Sequence, residues 1–198
     1  MSRNTSERRD RILAAALQCF NEKGVEATGI GEICTRSGAS IGSVYHHFGS
    51  KEGIAATLLA EGLRSNTHQL EERLERTRGA QPGIRAVVAS LIDWIAAHPD
   101  WARFIYTVTH GSLNQAGGAE LRTANDYHAQ LIERHFGPHI KAGEFRRLPS
   151  ECLASIVVGP VHDFARRWLG GQISGDIRDY INVFANTAWI SVRNPRQA

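Results

Sequence analysis

Cysteine is scarce in this chain of 198 residues: Cys19, Cys34 and Cys152 stand far apart, each inside an apolar helical pattern. No CxxC pair or Cys/His cluster accompanies them, which excludes a zinc module and a disulfide framework and leaves reduced thiols of the kind a cytoplasm maintains. Long apolar runs are missing as well, and none approaches the ~20 residues of a membrane span. The opening stretch, MSRNTSERRDR, lacks the apolar core of a secretory signal. A soluble, cytoplasmic chain is expected. Charge is weak as a signal: 23 Lys and Arg against 20 Asp and Glu give a formal +3. Residues 1–52 hold seven basic and six acidic side chains, so charge alone marks no surface for a polyanion.

Catalytic signatures are absent too. His162-Asp163 and Ser155 come without an activated-nucleophile motif, a carboxylate pair or a phosphate-cradling glycine loop, so neither an enzyme nor a cofactor is expected. His135 and His139 have the i, i+4 spacing of metal ligands. Gly137-Pro138 between them is expected to interrupt the helix that such a site needs, and no metal is expected.

What is present is helical periodicity from end to end, and the expected fold class is all-α. Thr5-Ser6 can cap a first helix whose Ile12, Leu13, Ala16, Leu17 and Phe20 form one stripe, ended by Gly24 in a left-handed C′ position. Two short helices follow. The first is closed by Ser37-Gly38, and the second is capped by Ser40 and runs to about Phe48. Ser50 can cap a long helix over about 51–77, and Gly79-Ala-Gln-Pro-Gly83 reads as a connector. Five further helices are expected near 84–97, 99–110, 117–136, 150–169 and 176–192, making nine, with a kink at Pro160.

The informative stretch is Thr28–Lys51, two short helices joined by a glycine-containing turn, the layout of a helix-turn-helix. In the second helix Ile41, Val44 and Phe48 can pack inward, while Gly42, Ser43, His46 and His47 form the opposite stripe. Tyr45 lies at the flank. Such a stripe suits a major groove, although adjacent histidines on a short helix also suit plain solvated surface.

The motifs Gly24…Thr28, Ser37-Gly38-Ala39-Ser40, Gly42-Ser43-Val44-Tyr45-His46-His47-Phe48 and Ser50-Lys51-Glu52 carry a resemblance. Together they are similar to the DNA-binding domain of the tetracycline-repressor-like (TetR) family, over roughly fifty residues without a gap. The resemblance implies a two-domain, nine-helix architecture. Residues 1–50 would bind DNA, with the helix-turn-helix at about 29–48, and residues 51–198 would bind an effector and dimerise. It also implies roles. Thr28, with the backbone of Gly29 and Ile30, opens the second helix against a phosphate; Ser40, Ile41, Gly42 and Ser43 lead the next helix into the groove. Tyr45, His46 and His47 clamp backbone or base edges, and Lys51 holds a phosphate. Gly29 and Gly31 depart from the family, which often places longer polar side chains there.

In the remainder, residues 142–151 and 166–173 resemble the seventh-to-eighth helix passage of many members. The family pairs its last two helices with their symmetry mates. Val157, Val161, Phe164 and Trp168, with Tyr180, Phe184, Thr187 and Ser191, offer faces for that pairing, or equally for packing within one protomer. Effector-pocket candidates are Trp94, Trp101, Phe104, Tyr106, His110, Tyr127, His128, Leu131, His162 and Arg166, which also describe a filled core. The implied function is a homodimeric repressor on a palindromic DNA operator, released by a small molecule. Control by a protein partner and action as an activator are the alternatives.

Overall fold

The structure of the protein, a computed structural model, describes residues 3–108 and 118–197. Among the described residues there are nine α-helices: α1 (Arg3–Ala27), α2 (Ile30–Ser37), α3 (Ile41–Phe48), α4 (Lys51–Glu75), α5 (Ala80–Ala97), α6 (Pro99–Thr107), α7 (Gly118–Lys141), α8 (Ser150–Leu169) and α9 (Ile181–Val192). They include no strand; one isolated antiparallel bridge joins Phe145 and Arg193.

Packing divides the chain into two compact units, Met1–Leu63 with Asp100–Asn125, and Arg64–Pro99 with Asp126–Ala198. The first unit is built on the α1 stripe. Ile12, Leu13, Ala16, Leu17 and Phe20 are buried against Ile33 of α2, Val44 of α3, Ile54 and Leu58 of α4, and Phe104 of α6. Phe20 and Phe104 stack with ring centroids 5.8 Å apart. Each such burial stabilises the unit by about 1.5–3 kcal/mol. In the second unit α5, α8 and α9 pack on one another. Leu70 and Leu74 of α4 meet Ala86 of α5 and Leu131 of α7. The segment after α7 is tied to the end of α9: Arg146 N donates to the Val192 carbonyl at 2.9 Å, and the Asn194 amide side chain to the Gly143 carbonyl at 2.8 Å.

Local chemistry sets most boundaries. Ser40 accepts from Ser43 N at 3.2 Å and caps α3, and Ser50 accepts from Gly53 N at 3.0 Å at the start of α4. Gly38 closes α2 at φ 67°, ψ 18°. Gly24 breaks the regular course of α1 at φ 81°, ψ 163°. Its φ is positive as expected, but its ψ is extended instead of left-handed helical.

Other expectations need correction. Residues 80–83 are the first turn of α5 and not a connector, because Pro82 sits where helix N–H groups have no intrahelical acceptor anyway. Helix α7 continues through Gly137-Pro138 to Lys141, whereas α8 spans Ser150–Leu169 across Pro160, the bounds expected of it. The last helix is preceded by a 3-10 turn, Ile177–Tyr180, capped where the Asp176 carboxylate accepts from Arg178 N at 2.9 Å. Since α7 is unbroken, His135 and His139 do lie one turn apart, with ring centroids 6.0 Å from each other. His139 Nδ1 is 2.8 Å from Glu144 Oε1, and the described residues hold no group of three or more side chains arranged for a metal ion.

Candidate nucleic-acid interface

Helix α3 is anchored by its second turn. Val44 is 0% exposed and Phe48 is half-buried in the core of the first unit. Ile41 is 56% exposed, which corrects the expectation that it packs inward with Val44 and Phe48. The first turn of α3 has an open side: a Cβ built on Gly42 meets nothing within 4 Å. The open stripe is therefore Ile41, Gly42, Tyr45 (51% exposed) and His46, about one residue out of phase with the stripe read from sequence. Ser43 and His47 are half-buried at its margin, and the rings of His46 and His47 meet edge to face at 5.3 Å.

Around this stripe, the residues expected to meet a phosphate divide into two groups. Gly29 is the exposed N-cap of α2, with φ −90°, ψ 145° and no side chain to cap with. Lys51 is half-buried, and its Nζ donates to the Glu26 carbonyl at 2.7 Å, bracing the start of α4 on the end of α1. Ser40 stands exposed, its oxygen engaged in the α3 cap. One expectation changes. The Thr28 side chain is buried, its hydroxyl 2.7 Å from the Gly24 carbonyl and 3.3 Å from that of Cys19, so it closes the break in α1 instead of facing outward. The Ile30 side chain packs into the core with Ile33, and the phosphate expectation concerns its backbone.

Ion pairs explain why composition is silent about this face. Arg36 grips Glu22 at 2.6 and 2.9 Å, Lys23 meets Glu32 at 2.7 Å and Arg9 meets Glu61 at 2.6 Å. The Arg36 hydrogen bond holds the Glu22 carboxyl below its ordinary value, and the Glu32 bond raises that of Lys23. Much of the unit's positive charge is thus matched by carboxylates on neighbouring helices.

The other candidates scatter. Phe104 is core in the first unit, where Trp101 packs half-buried against it, and Tyr106 is half-buried on the same helix. In the second unit Trp94 and Leu131 are buried, and Trp94 Nε1 donates to Ser65 Oγ at 3.1 Å. His128 Nδ1 lies 3.1 Å from the hydroxyl of buried Thr67, and burial lowers the His128 pKa. His162 is lowered too, by burial first and Arg166 second. Tyr127 and Arg166 are exposed, Tyr127 donating to Glu71 Oε2 at 2.5 Å, so neither faces an interior. His110 lies outside the described residues. Thr67 and Ser90, both buried, were missed because small hydroxyl residues in a helix look like surface; the Ser90 hydroxyl has no hydrogen-bond partner among the described residues.

The residues offered for pairing divide. Val157 and Val161 are buried within the protomer, and Phe164 packs on Tyr180 and Phe184 at 4.7 and 5.1 Å. Trp168 Nε1 donates to the Gly175 carbonyl at 2.9 Å, and half-buried Ser191 to the Thr187 carbonyl at 2.8 Å. The open apolar side chains of α9 are Val183 and Ile190, 60% and 59% exposed, seven residues apart with exposed Thr187 between them.

Two short helices on a buried third, joined at a left-handed glycine and presenting an unpacked leading turn, define a helix-turn-helix DNA-binding regulator. Residues 12–58 match the family model for bacterial regulatory proteins of the tetR family. The chain is 41% identical over 183 residues to the HTH-type transcriptional repressor KstR2 of Rhodococcus jostii, covering 90% of this chain and 89% of that one. Its fold is similar to a TetR family transcription regulator from Marinobacter aquaeolei, with TM-score 0.83, 20% identity and coverage of 98% and 100%. It is also similar in fold to the regulator FadR of Bacillus subtilis, solved in complex with stearoyl-CoA, with TM-score 0.76, 17% identity and coverage of 90% and 96%. The chain belongs to the tetR family of bacterial regulatory proteins and is a DNA-binding transcriptional regulator. No helix among the described residues is long and apolar enough to cross a membrane.

Proposed function

We propose that this regulator is a homodimeric repressor, without catalytic activity, acting in the cytoplasm on a palindromic operator. Residues 1–50 grip the DNA and residues 51–198 bind the effector and the partner protomer. One observation carries the reading: Gly42, Tyr45 and His46 lie open on a helix whose Val44 is locked in the core. A helix held rigidly from behind, with its leading turn uncovered, is what major-groove insertion requires. Gly29 N–H, the Ser40 hydroxyl, His47 at the margin and Lys51 are placed to hold the phosphates on either side, fixing register. One such helix reads only a few base pairs. A two-fold copy, paired through Val183, Thr187 and Ile190 of α9, doubles the site.

The repressor sign is supported by the 41% identical relative KstR2, a transcriptional repressor. For the effector, the interior of the second unit offers Trp94, His128 and Leu131, with Thr67 and the unpartnered Ser90 hydroxyl as polar groups among apolar ones. Acyl-CoA thioesters are the class to try first, since the FadR neighbour holds one. A ligand that binds the DNA-free state more tightly shifts the population away from the operator.

The test is a gel shift on duplexes selected from a random pool by the full-length protein. Long-chain acyl-CoA is expected to raise the melting temperature and dissolve the complex. The combined Tyr45→Phe, His46→Ala and Lys51→Ala variant is expected to lose sequence-specific binding. A triple variant that still shifts the selected duplex overturns the contact assignment. Indifference of both melting and binding to acyl-CoA overturns the effector class.

A further inference from the structure

The leading turn of α3 is apolar where it is most open. Ile41 is its first helical residue, and in the first unit only Ile41 and Tyr45 among the described residues are large hydrophobic side chains left exposed. They stand four residues apart, on one stripe. Ile41 is more than half exposed, and a Cβ built on the next residue, Gly42, meets open space among the described residues. At this tip Ser40 Oγ accepts from Ser43 N and caps the helix, and Ser43 is half-buried. A branched aliphatic side chain therefore leads the helix into whatever it meets.

On the major-groove floor the edges of guanine, cytosine and adenine present donors and acceptors, and the thymine C5-methyl is the apolar feature. Resting on the reading of α3 as the groove helix, we infer that Ile41 is a specificity-determining residue that selects thymine through its C5-methyl, at one position in each half-site. Its side chain has no hydrogen-bonding group, so it gains contact against a methyl and gains none against the exposed amino or carbonyl groups of other bases. Tyr45, a turn further along and carrying a hydroxyl, is suited to the flanking backbone, which leaves the methyl contact to Ile41.

Deoxyuridine removes that methyl and changes nothing else on the base edge. The full-length protein is titrated against its selected operator with thymines replaced by deoxyuridine one symmetric pair at a time. One pair is expected to weaken wild-type binding by roughly fourfold or more per half-site, the loss that goes with one buried methyl. Ile41→Ala is expected to bind the thymine and deoxyuridine duplexes equally, near the level of wild type on deoxyuridine. Ile41→Val is expected to restore part of the preference. The inference falls if wild type ignores deoxyuridine at every position, or if Ile41→Ala keeps the full preference. His46→Ala separates the two failures. If it weakens operator binding while wild type ignores deoxyuridine, the groove assignment of α3 stands and only the methyl contact is lost. If neither His46→Ala nor Ile41→Ala changes operator affinity, both readings fall together.

Discussion

Gly53 shows how tightly a single position governs the first unit. A Cβ placed there would lie 2.0 Å from the Phe48 carbonyl oxygen, an atom of the backbone that cannot rotate away. Gly53→Ala is expected to push α4 off the end of α3 and to destabilise the protein by about 1–3 kcal/mol. Thermal unfolding checks this, and operator affinity should fall with it because α3 loses its seat. At this scale the sequence was readable wherever the chemistry was local. Ser40, Ser50 and Gly38 cap and close helices through atoms two or three residues away. Ile41 was misread because its environment is not local. Periodicity places it near the face of Phe48, yet the fold leaves more than half of it exposed. Thr28 failed for the converse reason, since its partners, the carbonyls of Gly24 and Cys19, come within reach only when Gly24 bends the chain.

For the elements, α3 sets helix stability against access to DNA. Gly42 is an exposed helical residue with open space around it, so Gly42→Ala is expected to favour the helix by up to about 1 kcal/mol. The added methyl would stand between the helix and the groove floor. The expected outcome is a higher melting temperature together with weaker operator binding, measured on the same preparation. A variant that gains both would place Gly42 away from the DNA. The number and order of helices were legible because apolar stripes persist over many residues. Helix ends marked by proline were not. Pro82 occupies a first turn that leaves N–H groups unused, whereas Pro138 lies in the last turn of α7 and costs that helix the bond a residue 138 N–H would make to the Arg134 carbonyl.

For the whole molecule, acid should loosen the second unit. Burial holds His128 and His162 below the ordinary imidazole value, and His135 is lowered by burial and then by His139 and Arg78. A base whose folded-state pKa is depressed binds protons more readily once unfolded. Stability is then full above about pH 7, declines as pH drops through the ordinary value of about 6.5, and levels off below the folded-state values. Chemical denaturation at stepped pH measures this, and His128→Asn is expected to flatten the dependence. A curve rising toward pH 5 would contradict it. The dimer face and effector site were the least legible parts of the sequence. A stripe such as Val157 and Val161 looks the same whether its partner is the protomer's own helix or another copy, and a pocket wall looks like core.

The first fifty residues carry every side chain proposed to meet DNA except Lys51, but they cannot be cut free. The floor on which α1, α2 and α3 rest is supplied by Ile54, Leu58 and Leu59 from α4 and by Phe104 from far along the chain. A peptide ending at residue 50 would leave Phe20, Ile33 and Val44 facing water. It is expected to show little helix by circular dichroism and no sequence-specific shift. The reader of the operator exists only while the rest of the polypeptide is attached, so proteolytic trimming would silence this regulator outright.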